Sequence, residues 1–220
     1  MTDRAPLGVP ESLLTAGSAV VCDALDRLGH RDAVLDPRIR PLWPASRVVG
    51  RAFPVEVIVD LDDPDQPYDV EMSALDAMGP GDVGVYAVAP DSRAATWGEL
   101  FTCAAMGRGV RGVVIDGCVR DGTAVAALGF PTFHRGFSPL DTLQRAVVSG
   151  YGQDVTCGGV AVSAGDVVVA DIDGVVIVPA DLVDDVAEGV RAKRILELGA
   201  RQDLLSGMGI RAVWDKYRVF

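Results

Sequence analysis

The sequence predicts an α/β fold. Strand-like and helix-like patterns alternate through the middle of the chain, which is typical of parallel strand pairing. After residue 155, three short β-branched runs are followed by a long helical stripe of apolar residues. Because 49% of the 220 residues are hydrophobic, we expect a single domain over residues 1–220 with a sizeable core, and a C-terminal helical arm over about 180–220.

The N-terminal part of the chain should be helical. Apolar residues at helical spacing over 11–28 predict a helix, in which Ser18 can cap a second piece and Gly29 ends the helix. Residues 30–45 are rich in proline, so we expect irregular structure there.

Strand structure is expected next. Alternating apolar and β-branched residues over 48–59 predict one or two strands, broken near Gly50 or Pro54. The acidic run at 60–65 predicts a solvated loop.

The middle of the chain alternates between helix and strand. Apolar residues at helical spacing predict the helices, and short β-branched runs predict the strands between them. The predicted order is helix 69–78, strand 83–88, helix 99–107, strand 113–115, helix 121–128 and strand 131–134. This order is that of parallel strands joined by helices.

The last part of the chain changes its pattern. Runs at 157–162, 167–170 and 175–178 predict three short strands separated by turns, and we expect them to form a small antiparallel layer. A helix then opens at Pro179 and carries an apolar stripe to about Leu205. One side of this arm is too polar for a buried core, so we expect it to contact another subunit.

Composition argues against several classes of partner. A net charge of -11 argues against nucleic acid, because phosphate binding needs clustered Lys and Arg. No apolar run approaches the roughly 20 residues that cross a bilayer, and the first residues lack the pattern of a signal peptide. We therefore expect a cytoplasmic protein without a membrane partner.

The scarcity of several residue types limits the chemistry. Only two histidines are present, so a bound metal would have to be a hard cation held by carboxylates and water. The four cysteines form no Cys-x-x-Cys pair and are interpreted as core residues. Lys193 and Lys216 are the only lysines, and both lie in the predicted arm, which argues against Schiff-base chemistry.

The stretch from Gly98 to Asp121 carries the candidate site. Glu99 lies at a predicted helix start, where free backbone N–H groups can bind an anion, although the helix dipole favours an acid there without any function. Arg120 and Asp121 follow a buried strand, at the kind of turn that binds ligands in open sheets. The pair could also be a surface ion pair or a cap for the next helix.

The letters of a dinucleotide fingerprint, G-x-G-x-x-G, occur at 107–112. That fingerprint has to follow a strand and open a helix, whereas here a helix precedes it and a strand follows. We therefore interpret these glycines as a helix end and a tight entry into a strand.

A set of motifs resembles one known family. The motifs are Trp97-Gly98-Glu99-Leu100, Arg108-Gly109-Val110, residues 112–121 (GVVIDGCVRD) and residues 129–133 (GFPTF). They resemble the class II 4-hydroxy-4-methyl-2-oxoglutarate / 4-carboxy-4-hydroxy-2-oxoadipate aldolases, a family that also contains the RraA-like regulators of ribonuclease E activity. The resemblance implies a swivelling β/β/α-type fold with mixed sheets, assembled as a ring-like homotrimer, or a hexamer, with active sites between subunits.

The resemblance also implies the site residues. Asp121 would ligate Mg2+ or Mn2+, and Arg120 would contact the keto oxygen of the substrate. The remaining site residues would be Glu99, the backbone amides of Leu100 and Phe101, and, from the C-terminal helix of a neighbouring subunit, Glu197.

The sequence departs from the family pattern at one position. The family has an Asp or Glu three residues after the aspartate of the Arg-Asp pair, and this chain has Ala124 there. We expect weaker metal binding, a shifted substrate preference or lost aldolase activity from this change.

Two function hypotheses follow from the resemblance. The first is a divalent-metal-dependent lyase that cleaves 4-hydroxy-2-oxo-dicarboxylic acids to pyruvate through an enolate, with oxaloacetate decarboxylation as a side activity. The alternative is a non-enzymatic regulator that binds ribonuclease E or a related partner. Arg120, Asp121 and Glu99 favour the enzyme, whereas Ala124 favours the regulator.

Overall fold

The chain folds around one large mixed sheet, which confirms the predicted α/β class. The computed structural model describes residues 8–61 and 68–220, so most of the predicted acidic loop at 60–65 lies outside the described residues. The strands found in the described ranges are β1 (Arg40–Pro41), β2 (Val48–Ile58), β3 (Asp82–Val88), β4 (Gly112–Val119), β5 (Thr132–Phe137), β6 (Val147–Tyr151), β7 (Val155–Cys157), β8 (Val160–Val162), β9 (Val167–Ala170) and β10 (Val175–Val178).

The helices lie before, between and after these strands. They are α1 (Glu11–Leu14), α2 (Ser18–Arg27), α3 (Asp69–Ala77), α4 (Glu99–Gly107), α5 (Gly122–Leu128), α6 (Val183–Leu205) and α7 (Ile210–Tyr217), with a 3-10 turn at Ala180–Leu182 before α6. Among the described residues, no helix has both the length and the apolar character needed to span a membrane.

The centre of the sheet is parallel, as the alternating pattern predicted. The main sheet runs in the order β1-β5-β4-β3-β2-β9-β10, and β6 also pairs with β2. Strands β2, β3, β4 and β5 are parallel to one another, whereas β1, β6, β9 and β10 pair antiparallel. The carboxyl ends of β3, β4 and β5 therefore meet at one edge, which is where an open sheet binds ligands.

Strand β2 is continuous, so the predicted break at Gly50 or Pro54 is wrong. A Cβ atom at position 50 would lie 2.5 Å from the carbonyl oxygen of Gly81, so glycine lets the neighbouring backbone approach closely. Along its other edge, β2 pairs with β9 as far as Arg51 and with β6 from Val55 onward. Pro54 falls between these two partners, where its missing N–H breaks no ladder bond.

The late strands differ from the prediction in their partners. Residues 157–162 do not form one strand, because Gly158 and Gly159 have φ of 56° and 84° and turn the chain between β7 and β8. In the described ranges, this hairpin is the one separate two-stranded sheet, whereas β9 and β10 extend the main sheet. Strand β6 was not predicted.

The start of α2 is capped from a distance. Gly17 is the N-cap residue, so the predicted cap by Ser18 is wrong. Instead, the carboxylate of Asp171, in the turn between β9 and β10, accepts the Ser18 N–H at 2.7 Å and the Ser18 hydroxyl at 2.6 Å. This long-range contact attaches α2 to the sheet, because it satisfies an amide that has no partner inside the helix.

The long helix α6 packs against the N-terminal helices. Val186, Ala187 and Val190 on α6 share one buried apolar cluster with α1 and α2. Lys193 is 3% exposed, and its Nζ donates to Asp23 Oδ2 at 2.6 Å. This ion pair joins α6 to α2 and gives the buried ammonium group of Lys193 a carboxylate partner.

Candidate active site

A cleft of about 520 Å³ lies at the edge where β3, β4 and β5 end. Its walls come from α3, the start of α4, the turn after β4 and the loop after β5. The lining residues are Tyr68, Glu71, Met72, Ala95, Thr96, Trp97, Gly98, Glu99, Leu100, Phe101, Arg120, Asp121, Asp141 and Thr142. Five of the residues expected from the sequence, Glu99, Leu100, Phe101, Arg120 and Asp121, therefore lie together in this cleft.

Arg120 and Asp121 lie at the cleft because they directly follow the end of strand β4. The strand continues to Val119, beyond the predicted end at Ile115, so Arg120 follows it directly. The Arg120 N–H donates to the carbonyl oxygen of Trp97 at 2.9 Å. The end of β4 is thereby tied to the segment that opens α4.

The Asp121 side chain accepts a hydrogen bond from the start of α4 and none from its own helix, α5. Asp121 has φ 55°, in the left-handed region that few side chains tolerate, and it makes no side-chain cap for α5. Its Oδ2 instead accepts the N–H of Glu99 at 3.2 Å and lies 3.8 Å from Arg120 Nε. Asp121 is therefore the N-cap residue of α5 by position, and its carbonyl oxygen accepts the Val125 N–H at 3.0 Å, but its side chain does not cap that helix.

Gly98 makes this arrangement sterically possible. A Cβ atom at position 98 would lie 2.6 Å from Asp121 Oδ2 and 3.1 Å from Arg120 Cγ. The first distance is shorter than real Cβ atoms show, so a side chain at position 98 would push the Asp121 carboxylate away from the helix start.

The start of α4 offers backbone donors to the cleft. Helix α4 begins at Glu99, as predicted, and the amides of its first turn have no partner inside the helix. The Glu99 amide is taken by Asp121, which leaves those of Leu100 and Phe101. Leu100 is 79% exposed and Phe101 is half-buried, so this part of the wall is apolar between its polar backbone groups.

Asp141 was missed by the sequence interpretation and lies behind Arg120. Its Oδ2 pairs with Arg120 Nη1, and its Oδ1 accepts the Tyr68 hydroxyl at 2.8 Å and the Leu143 N–H at 2.9 Å. Burial alone would raise the pKa of Asp141, but the hydrogen bonds from Leu143, Tyr68 and Arg120 lower it below its ordinary value. Asp141 is therefore a fixed anion in contact with the cleft's arginine.

Glu71 is a buried acid in the same wall. It is 5% exposed, and its Oε2 lies 3.5 Å from the Thr142 hydroxyl oxygen. Burial raises the pKa of Glu71 to about 7, and the negative charge of Asp141 adds to this effect. The Thr142 hydroxyl and the more distant Arg120 act in the opposite direction.

Signals for these missed residues exist in the sequence. Glu71 shares a helical face with Ala74, Leu75 and Met78, so an acid interrupts an otherwise apolar stripe. Asp141 follows the parallel strand β5, whose end meets the same sheet edge as the end of β4. An acid on an apolar face and an acid after a parallel strand each indicate a site.

Glu71 predicts a pH-dependent stability. Folding raises the pKa of Glu71. Its contribution to the free energy of unfolding is therefore fully present below about pH 4.5 and is lost as the pH rises to about 7. In urea denaturation, Glu71→Gln should therefore gain roughly 2 to 3 kcal/mol over the wild type between pH 5 and pH 8. Glu188→Gln, at a side chain that is 71% exposed, is the control. If the difference in unfolding free energy between Glu71→Gln and the wild type is the same at pH 5 and pH 8, the raised pKa of Glu71 is contradicted.

Arg135 and His134 lie outside the cleft. Arg135 pairs with Asp116 and, at 3.2 Å, with Asp36, whereas His134 Nδ1 lies 2.9 Å from the carbonyl oxygen of Gly136. Neither side chain lines the cleft. Arg135 thus joins β5 to β4 and to the segment before β1.

A family model described as RraA-like, aldolase/RraA, matches residues 18–177. The chain belongs to the RraA-like family. The match extends from the first residue of α2 into β10 and includes the whole lining of the cleft.

Proteins similar to this chain have names that point to different functions. A protein of Halalkalibacterium halodurans named "putative 4-hydroxy-4-methyl-2-oxoglutarate aldolase" is 31% identical over 92% of this chain and 91% of its own length. RraAS2 of Streptomyces coelicolor, described as an unusual member of the RNase ES inhibitor RraA protein family, is 28% identical, with a TM-score of 0.80 over 90% of this chain and 98% of that one. An uncharacterized protein from Pseudomonas syringae is 29% identical, with a TM-score of 0.84 over 94% and 92%.

These likenesses establish the RraA-like fold. Several relatives, among them those of Halalkalibacterium halodurans, Hahella chejuensis and Aromatoleum aromaticum, are named "putative 4-hydroxy-4-methyl-2-oxoglutarate aldolase".

Asp121 can hold a hydrated hard cation. Both of its contacts use Oδ2, so Oδ1 has no hydrogen bond from any described residue. The described residues contain no cluster of three or more His, Cys, Asp or Glu that could enclose a metal. One carboxylate with water and substrate oxygens fits Mg2+, which keeps several of its waters. Ala124 lies one turn after Asp121 on α5 and adds no oxygen.

Glu197 does not line the cleft of its own chain. It lies on α6, where its Oε1 is 3.5 Å from Lys193 Nζ, and its side chain is 41% exposed. The expectation was that Glu197 serves the site of a neighbouring subunit, and it stays a prediction.

Proposed function

We propose that this chain is a divalent-metal-dependent lyase that cleaves 4-hydroxy-2-oxo-dicarboxylic acids to pyruvate through an enolate, with oxaloacetate decarboxylation as a side activity. One observation carries the proposal. The Asp121 side chain makes no cap for its own helix, and with the backbone of Asp121 at φ 55° the carboxylate meets Arg120 and the start of α4 in one cleft. Strain of this kind is typical of functional sites.

The proposed chemistry divides among three groups of this chain. Arg120 would stabilise the enolate oxygen that forms when the bond between C3 and C4 breaks. The amides of Leu100 and Phe101 would hold the substrate carboxylate, as helix starts hold anions. Glu99 would order a water that accepts the proton of the C4 hydroxyl and returns a proton to C3, so that the products are pyruvate and a second carbonyl compound.

Asp121 would hold Mg2+ or Mn2+ through Oδ1. When bound, the ion would act as a Lewis acid toward the keto and carboxylate oxygens of the substrate. Arg120 would stabilise the same enolate oxygen when oxaloacetate loses carbon dioxide, because both reactions pass through the pyruvate enolate.

The test is pyruvate release by the purified protein. We expect pyruvate from a 4-hydroxy-2-oxo-dicarboxylic acid when Mg2+ or Mn2+ is present, and no pyruvate after chelation with EDTA. Restoring the metal should restore the rate, which separates metal removal from unfolding. Pyruvate release at the same rate in EDTA would contradict the metal dependence, and no release with either metal would contradict the lyase.

The proposal includes a homotrimer or hexamer in which Glu197 completes the site of a neighbour. Apolar side chains flank it on α6, with Ile195 73% and Leu198 60% exposed, and Ile210 on α7 is 66% exposed. Apolar surface of this extent on one arm is typical of a subunit contact. In this arrangement Glu197 would help Glu99 to order the proton-carrying water.

A second candidate is a regulator that binds ribonuclease E or a related partner. The structural similarity to RraAS2 supports it. A pull-down with ribonuclease E, run beside the pyruvate assay, separates the two functions. Binding without any metal-dependent pyruvate release would favour the regulator.

A further inference from the structure

Asp141 and Arg120 form the closest charge contact in the wall of the cleft. Arg120 has a side chain that is 39% exposed, so without a partner its guanidinium could sample many rotamers. Asp141 Oδ2 contacts Arg120 Nη1, and Arg120 Nε lies 3.8 Å from Asp121 Oδ2. Two carboxylates thus lie near two of its three nitrogens, and Nη2 makes no hydrogen bond to any described residue.

Asp141 is itself held in place. The Tyr68 hydroxyl and the Leu143 N–H both donate to Oδ1, so Oδ2 remains for the arginine. The three partners come from the start of α3, the loop after β5 and the end of β4. An anion fixed from several elements orients a guanidinium more strongly than an isolated surface pair does.

We propose that Asp141, fixed by Tyr68, is a positioning residue that aims Arg120 Nη2 at the oxygen of the substrate on which negative charge develops. This inference rests on the proposed function, because it assigns the group that orients the proposed enolate-stabilising arginine. In this proposal Asp141 acts through Arg120 and not directly on the substrate. Its effect should therefore appear in the reaction step and in the binding of an enolate analogue, more than in substrate binding.

The test compares Asp141→Asn with a matched control. Asp203 also accepts a tyrosine hydroxyl, that of Tyr217 at 2.9 Å, and pairs with a cation, Lys216 at 2.7 Å, but it lies on α6 outside the cleft. We expect Asp141→Asn to lower kcat about 10-fold with KM changed by less than about twofold. Asp203→Asn should leave both constants unchanged, and Tyr68→Phe should lower kcat less than Asp141→Asn does.

A second readout does not depend on turnover. Oxalate has the planar shape and charge of the pyruvate enolate, so its affinity in the presence of Mg2+, measured by calorimetry, reports on the aim of Arg120. We expect Asp141→Asn to weaken oxalate binding by about the same factor as kcat, and Arg120→Ala to weaken it at least as much.

The outcomes separate the inference from the proposed function. Wild-type kcat and wild-type oxalate affinity in both Asp141→Asn and Tyr68→Phe would overturn the inference, and so would an absence of oxalate binding by the wild type. A wild-type protein that binds oxalate but releases no pyruvate overturns the lyase, while the Asp141 comparison still decides the positioning role. If Asp141→Asn does not fold, Tyr68→Phe carries the test alone.

Discussion

Replacement of Arg120 by alanine should lower the rate of pyruvate release by about 10² to 10³. Arg120 is the cation that lines the cleft, among the described residues, and its Nη2 is the donor that Asp121 and Asp141 leave unused. A donor aimed at developing negative charge acts mainly in the transition state, so kcat should fall more than KM rises. Steady-state kinetics with a 4-hydroxy-2-oxo-dicarboxylic acid measures this effect.

Arg108→Ala is the matched control for this variant. Arg108 has the same side-chain exposure of 39% and pairs with Asp76, but it lies at the far end of α4. Its removal should leave kcat unchanged. Arg120→Lys should recover only part of the rate, because an ammonium lacks the planar fork that lets one side chain face Asp141, Asp121 and substrate together. Near-normal turnover in Arg120→Ala would contradict the assigned role.

Trp97→Ala should lower the free energy of unfolding by about 3 to 5 kcal/mol. Trp97 is 1% exposed and packs between Tyr86, Phe101 and Phe130, with ring centroids 5.5 to 6.2 Å away. Its Nε1–H donates to the Thr102 hydroxyl at 2.8 Å. Truncation would therefore leave a cavity beneath the first turn of α4 and remove a buried hydrogen bond.

Urea denaturation of the variant measures this loss, and Trp214→Ala is its control. Trp214 is 41% exposed on α7, so its truncation should cost much less. The carbonyl oxygen of Trp97 accepts the Arg120 N–H, so a shift of this backbone into the cavity would displace Arg120, and activity should fall together with stability. A loss of less than about 1 kcal/mol would show that the site does not depend on this packing.

The elements that carry the motif could be predicted because their signals are local. Helix α4 begins and ends where its apolar spacing and Gly107 predicted, and β4 follows as a buried run. The glycines at 107–112 lie between a helix and a strand, as interpreted, and not between a strand and a helix. Local spacing thus sufficed to place Glu99, Arg120 and Asp121 near one sheet edge.

Strand partners could not be predicted in the same way. The continuity of β2 through Pro54 depends on where β9 stops and β6 starts, and those strands lie about 100 residues later in the chain. The cap of α2 by Asp171 has the same origin, because its two partners are 153 residues apart. No local pattern encodes which distant group satisfies a given backbone amide.

The sequence by itself determined the α/β class, the family and the three residues Glu99, Arg120 and Asp121, because helix starts, buried strands and a specific motif are properties of short stretches. The tertiary structure alone decided what those residues face. In the folded chain the Asp121 side chain contacts the start of α4 and not its own helix. Asp141 lies against Arg120, and Glu71 lies in the same wall. The physical reason is that ion pairs and buried acids depend on distances between separate elements, which only their packing fixes.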